Sequence, residues 1–237
     1  MENAGYVTLT RQSGLMREME IIAHNIANAA TTGFRQQGLV FSEYVQSVDN
    51  GESLSMAAAR VRKTSVAQGI LTQTGNALDL AIEGNGYFQL ETPNGVRLTR
   101  AGAFNVNSVG DIVSTDGHRV LDVGGAPINV PPGEAHVEIA ADGTISLEGI
   151  LLGQIGIVQP GSDINLTRES GVLFKTDGVL EPAATSLVLQ GHLEGSNVDA
   201  ISQLTRMIEV QRAYEMGQKL LDMDHERATS ALQTLIK

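Results

Sequence analysis

The chain reads as an α+β protein in which N- and C-terminal helices, paired as an antiparallel coiled-coil-like domain, flank an antiparallel β-rich centre. Three observations predict this. Apolar residues recur at helical spacing in both ends, short apolar runs recur about every 8–12 residues in the middle, and all six prolines fall in that middle. The expected organisation is an N-terminal helix in residues 1–35, an extended connector in 36–75, a β-rich outer domain in 76–194 and a C-terminal helix in 195–237.

The first helix follows from Leu9, Gln12, Met16, Met19, Ala23, Ile26 and Ala30, whose alternating three- and four-residue steps draw one stripe from about Ala4 to Ala30. Leu15 and Ile22 widen it. Thr31-Thr32-Gly33 stops the helix, since glycine accepts the left-handed conformation common at a helix end, and Phe34 can fold back on the last turn. In the last helix Ser196 or Asn197 is the expected cap, with Asp199 in the first turn, where the dipole favours a carboxylate. Ala200, Leu204, Met207, Gln211, Tyr214, Gln218, Leu221, His225, Ala228, Leu232 and Leu235 keep heptad spacing. Ile201, Ile208 and Val210 add a second apolar edge, along a rod of about 55 Å. Neither helix can bury its stripe alone. Pairing the two satisfies one face of each and leaves apolar surface for neighbouring subunits.

In the middle the runs include Leu78–Ile82, Tyr87–Leu90, Phe104–Val106, Ile128–Val130, Val137–Ile139 and Leu187–Leu189, separated by turn signals such as Pro93-Asn94-Gly95 and Asp142-Gly143. Gly84-Asn85-Gly86, between two runs, reads as a hairpin turn.

Composition narrows the function. With 26 Gly, no Trp and 4% aromatic residues, the core rests on Val, Ile, Leu and Ala. No Cys means no disulfide, thiolate metal site or cysteine nucleophile. The net charge of −11 argues against nucleic acid, whose recognition needs clustered Lys and Arg. That charge is unevenly placed: residues 1–35 hold three Arg and three Glu, 195–237 hold five basic and six acidic residues, and the acidic excess sits between them. No signal peptide or spanning segment is legible, so no cleaved leader is expected.

Chemistry is sparse. His24, His118, His136, His192 and His225 stand singly, without metal-ligand spacing. Asp79, Glu83, Asp111, Asp142 and Asp163 could hide a glycosidase pair, but most sit at turns. Nucleophile-elbow, P-loop and dinucleotide motifs are missing from the sequence. The expectation is a structural protein with no cofactor, catalytic residue, metal or small-molecule substrate. A carbohydrate-active envelope enzyme and a free binding module with a coiled-coil handle are the contrasting readings.

Three blocks are more specific: His24 to Arg35, Gly69 to Phe88, and Met207 to Glu215, together with Leu98-Thr99-Arg100-Ala101-Gly102-Ala103-Phe104. In order, they resemble the N-N-I-A-N-x-x-T-x-G-F-[KR], T-G-x-x-L-D-L-A-I-x-G-x-G-F-F, I-x-x-Q-R-A-Y-E and T-R-x-G-x-F signatures of the bacterial flagellar axial family of rod and hook proteins. His24 replaces an Asn of the first signature, and Ala30 a polar residue. The opening Met1-Glu2-Asn3-Ala4-Gly5-Tyr6, the short connector and Gly124 to Gly133 most resemble the proximal-rod members, with distal-rod members as the alternative.

The resemblance implies a subunit of the basal-body rod, spanning the periplasm, exported unfolded through the flagellar type III apparatus. It implies helical self-association and contact with proximal and distal rod proteins, forming a hollow shaft that transmits torque and carries the export channel. The residues expected to carry assembly are Leu9, Met16, Met19, Ala23, Asn25, Ile26, Asn28, Gly33 and Phe34 at the first helix, and Leu204, Met207, Ile208, Gln211, Arg212, Tyr214 and Leu221 on the last.

Overall fold

The computed structural model describes residues 2–46, 54–131, 137–161, 166–183 and 185–235. His136, Asp163, Pro132-Gly133 and residues 47–53 of the expected connector lie outside them. The chain forms two units. Unit 1 gathers Met1–Asn28, Gln36–Ser65 and Val198–Lys237, and unit 2 gathers Ala29–Arg35 and Val66–Asn197.

Unit 1 contains α1 (Glu2–Ala27), the strands β1 (Gln37–Gln46) and β2 (Leu54–Thr64), and the long C-terminal helix Ala200–Leu235. Helix α1 ends earlier than its apolar spacing predicts because Asn28 turns back on it. Its Nδ2 donates to His24 O at 2.8 Å and its backbone N donates to Asn25 O at 3.1 Å, closing carbonyls that a longer helix would use. The C-terminal helix is capped by Asp199 itself, whose Oδ1 accepts the Ile201 N–H at 3.1 Å, and not by Ser196 or Asn197. Residues expected as an unpaired connector instead form the antiparallel β1–β2 hairpin, with a register shift between Val40 and Phe41, packed on α1. The Ser- and Ala-rich strand Leu54–Thr64 lacks the alternating large apolar residues by which a strand is recognised.

Unit 2 opens with β3 (Leu71–Gln73), β4 (Leu80–Glu83), β5 (Tyr87–Thr92) and β6 (Gly95–Thr99). Then come β7 (Phe104–Val106), β8 (Ile112–Ser114), β9 (Arg119–Val120), β10 (Val137–Ile139), β11 (Thr144–Leu147) and β12 (Ile150–Gln154). Next are β13 (Ile157–Pro160), β14 (Thr167–Ser170), β15 (Leu173–Lys175) and β16 (Leu180–Pro182). β17 (Leu187–Gln190) and β18 (His192–Glu194) complete the unit, and the C-terminal helix is α2. The principal sheet runs β14-β15-β6-β5-β9-β8-β7, and β13 joins β5 and β16 to it. A separate sheet runs β10-β11-β12, while β17 pairs β4 and β18 pairs β3. All named pairings are antiparallel, as the alternating runs predict.

Between the sheets lies an aliphatic core centred on Leu80, Ile82, Phe88, Leu90, Phe104, Ile112, Ile145 and Ile155, with Phe88 and Phe104 edge to face at 5.2 Å between ring centres. Two expected features differ. Gly84-Asn85-Gly86 joins β4 to β5, which belong to different sheets, so it is a crossing turn and not a hairpin. The run Ile128–Val130, bracketed by Pro127 and Pro131, forms only isolated bridges, because proline cannot donate to a ladder.

One close approach sets the core's geometry. A Cβ at Gly102 would lie 1.7 Å from Leu80 O, and Leu80 N donates to Gly102 O at 2.9 Å. Gly102→Ala is expected to destabilise unit 2 by about 1–3 kcal/mol, whereas Gly153→Ala, with nothing within 4 Å of the new Cβ, leaves the urea midpoint nearly unchanged.

Candidate assembly surfaces

The helices of unit 1 meet through a polar and small-residue seam. Gln12 Nε2 donates to Tyr214 O at 2.9 Å, Glu18 Oε1 lies 2.7 Å from Arg206 Nη2, and Asn25 Nδ2 donates to Gln203 Oε1 at 3.2 Å. Rising numbers on α1 thus meet falling numbers on α2, so the two run antiparallel. Gly217 makes the approach possible, since a Cβ there would come within 2.3 Å of Gln12 Nε2. Asn25 also reads the backbone of β1 from both sides: its Nδ2 donates to Gln37 O at 2.8 Å, and its Oδ1 accepts Gln37 N–H at 3.0 Å. This accounts for an Asn on a helix face, where it otherwise competes with the helix backbone.

The buried and half-buried positions of α2 include Gln203, Met207, Val210, Tyr214, Gly217, Leu221 and Asp224. They follow a heptad, but not the expected one. Met207, Tyr214 and Leu221 belong to both sets, whereas Leu204 and Gln211 are exposed and their places are taken by Gln203 and Val210. The seam thus mixes polar and small residues, Gln203 and Gly217, with Met207, Val210, Tyr214 and Leu221. Ile201, Leu204, Ile208, Met216, Leu220 and Met223 remain exposed on α2, as do Leu9 and Met16 on α1.

The other expected assembly residues divide accordingly. Ala23 and Arg212 are exposed, and Met19, Ile26 and Asn28 are half-buried. Asn25, Gly33 and Phe34 are fully buried within the chain, the first in unit 1 and the others in unit 2.

Unit 2 holds a buried ionic node that sequence reading did not assemble. Glu194, at the end of β18 and 1% exposed, lies 2.9 Å from Arg35 Nη2 through Oε1 and 2.9 Å from Arg100 Nε through Oε2. Its Oε1 also accepts the Gly69 N–H at 3.1 Å. Arg35 spends Nη1 on the carbonyls of Val66, at 2.9 Å, and Ala67. Arg100 donates to Gly86 O and Gly84 O, each at 2.8 Å, which gives the crossing turn its role. Arg168 completes the group, its guanidinium 4.3 Å from the Phe34 ring centre and 4.7 Å from that of Phe174, while donating to Arg35 O and Gly171 O.

Burial pulls the Arg168 guanidinium down to about 10. It lowers Arg100 too, against the pull of Glu194, and it raises the Tyr87 phenol, against the pull of nearby arginines. Backbone bonds reinforce the node: Gly33 N donates to Glu194 O at 2.7 Å, Gly195 N to Ile70 O at 2.8 Å, and Asn197 N to Phe34 O at 3.3 Å. Gly33 has φ +69°, and a Cβ on it would lie 2.2 Å from Ala101 N, so a side chain fails there twice.

Residues 6–35 match the family described as "Flagella basal body rod protein", 81–147 that described as "Flagellar hook protein FlgE/F/G D1 domain", and 189–234 "Flagellar basal body rod FlgEFG protein C-terminal". The chain is 36% identical to the flagellar basal-body rod protein FlgF of Caulobacter vibrioides, covering 100% of this chain and 99% of that relative. The FlgF of Mesorhizobium japonicum is also 36% identical, over 99% of this chain and 98% of its own. The FlgG of Bacillus subtilis is 31% identical, over 93% and 94%. The chain belongs to the flagellar basal-body rod family.

The rod-family signatures now have physical content. Gly33, Phe34 and Arg35 of the first and Arg100 of the Thr99-Arg100 motif converge on Glu194, which lies outside every motif and carried no signal in the sequence. In the C-terminal signature Tyr214 faces the seam and its hydroxyl accepts Gln218 Nε2 at 3.1 Å, while Gln211 turns outward to Glu215 at 3.2 Å. Among the described residues, no cluster of His, Asp or Glu forms a metal site.

Replacing Glu194 by Gln strands two buried guanidinium groups and is expected to lower the stability of unit 2 by about 3–5 kcal/mol. Replacing the exposed Arg119, which pairs Glu91 at 2.8 Å, by Gln is expected to change it by about 0–1 kcal/mol. Urea unfolding of the two variants measures the difference.

Proposed function

We propose that this chain is a structural subunit of the bacterial flagellar basal-body rod that joins its neighbours through the outward apolar face of its helical unit. One observation carries the reading. The intrachain seam sets Gln12, Asn25, Gln203 and Gly217 among Met207, Val210, Tyr214 and Leu221, while Leu204, Ile208, Met216, Leu220 and Met223 lie exposed along one long helix. An apolar row of that length on a surface marks an interaction site. Heptad spacing of the seam supports a coiled-coil-like pairing of α1 and α2.

The setting comes from the relatives. FlgF-named proteins reach 36% identity and FlgG-named ones 32% or less, which favours the proximal over the distal rod. In that setting the chain stacks helically with copies of itself and with proximal and distal rod proteins. It reaches its place through the flagellar type III apparatus, and the shaft it helps to form transmits torque around the export channel. Its location is the basal body, spanning the periplasm. The role is architectural and involves no reaction, cofactor or small-molecule substrate.

The outward residues provide the test. Leu204→Asp and Ile208→Asp are expected to leave the circular-dichroism spectrum and unfolding midpoint of the free chain within error, and to cut its recovery in purified basal bodies at least tenfold, with loss of swimming. Normal incorporation of both variants rules the proposed face out.

A further inference from the structure

Residues 120–167 contain Asp122, Glu134, Glu138, Asp142, Glu148 and Asp163 but no Lys or Arg. The β10-β11-β12 sheet lies in this stretch, and its edge strand β12 carries Ile150 and Leu151, each 68% exposed. Register places Glu138, Ser146 and Leu151 in one row across the three strands, on one face. The tight turn Glu148-Gly149, with φ +49° and +83°, joins β11 to β12 after the Leu147–Ile150 pair, one pair beyond that row.

Among the described residues no strand pairs with the outer edge of β12, and only Gln154, at its far end, uses its carbonyl, accepting Val123 N–H at 3.2 Å. Sheet edges are ordinarily guarded by Lys, Pro, an inward charge, a bulge or a very short strand. β12 carries no Lys, Pro or charge, and its guard is a bulge. Its bulge, which leaves Leu152 without a partner on β11, confines a regular free edge to the Ile150–Leu151 end.

We propose that the Ile150–Leu151 edge of β12 is a docking site for an extended segment of a different chain, apolar and flanked by Lys or Arg, which adds a strand to this sheet. Backbone bonds to the open edge supply the pairing, Ile150 and Leu151 supply apolar contact, and Glu138 and Glu148 select the cationic flanks. Charge disfavours pairing of β12 with its own counterpart in a second copy, which sets two carboxylate-only stretches against each other.

The test places a photo-reactive benzophenone amino acid at Leu151 of the full-length chain in flagellated cells, and separately at Leu204. The Leu151 probe is expected to give one adduct with a different protein, mapping by mass spectrometry to an extended segment with Lys or Arg beside it. The double variant Glu138→Lys/Glu148→Lys is expected to lower that yield about tenfold. No adduct, an adduct with a second copy, an adduct to a segment without basic residues, or a yield indifferent to charge reversal each overturns the proposal. The Leu204 probe reports on the rod-packing reading alone, so failure of one is distinct from failure of the other.

Discussion

A carboxylate held between two guanidinium groups at the end of β18 fixes how distant segments of unit 2 meet. Removing such ions from water costs several kcal/mol each, and Coulomb attraction alone rarely repays it. Here the cost is offset by bonds to backbone: Arg35 satisfies two carbonyls after β2, Arg100 satisfies two at the crossing turn, and Glu194 receives an amide from Gly69. The segments 29–35, 66–69, 84–86, the residue after β6 and the end of β18 are thereby tied to one point of unit 2. An apolar cluster of equal volume could be as stable, but it could not specify which carbonyl meets which strand.

The two units are held differently. Unit 2 encloses a continuous aliphatic core and keeps its shape by burial. In unit 1, among the residues whose side chains are described, the fully buried apolar ones are Ile21, Ile22 and Val210, and polar groups do much of the fastening. Gln12 and Asn25 give direction and register more than they give energy, as a lone polar residue does in a helical seam. The node and the seam thus share a logic in which geometry is set by hydrogen bonds and stability is left to another surface.

How legible this was depended on the kind of signal. The apolar runs at Tyr87–Leu90, Phe104–Val106 and Val137–Ile139 are strands that bury at least one large apolar side chain each, and burial alternates at Val137–Ile139. Thr167–Ser170 has no large apolar residue and Leu180–Pro182 ends in proline, and they form because neighbouring strands offer them partners. On the long helix the expected stripe and the observed seam share Met207, Tyr214 and Leu221, while Gln203 and Val210 stand where Leu204 and Gln211 are expected. Asn25, Gly33 and Phe34 were recognised as special and assigned to neighbours, yet each is spent inside its own unit. Glu194 could not be found at all, since one carboxylate near a strand end gains meaning only when Arg35 and Arg100 arrive from far along the chain.

The division of the helix surface is itself informative. Burying a side chain such as Leu204, Ile208 or Leu220 contributes about 1.5–3 kcal/mol. The seam with α1 takes Gln203 and Gly217 beside Met207, Val210, Tyr214 and Leu221, and Leu204, Ile208 and Leu220 lie exposed. The free subunit thus forgoes that stability. On the proposed assembly the same apolar area is buried when a second helix arrives, so that part of the free energy of completing the helical unit becomes free energy of association.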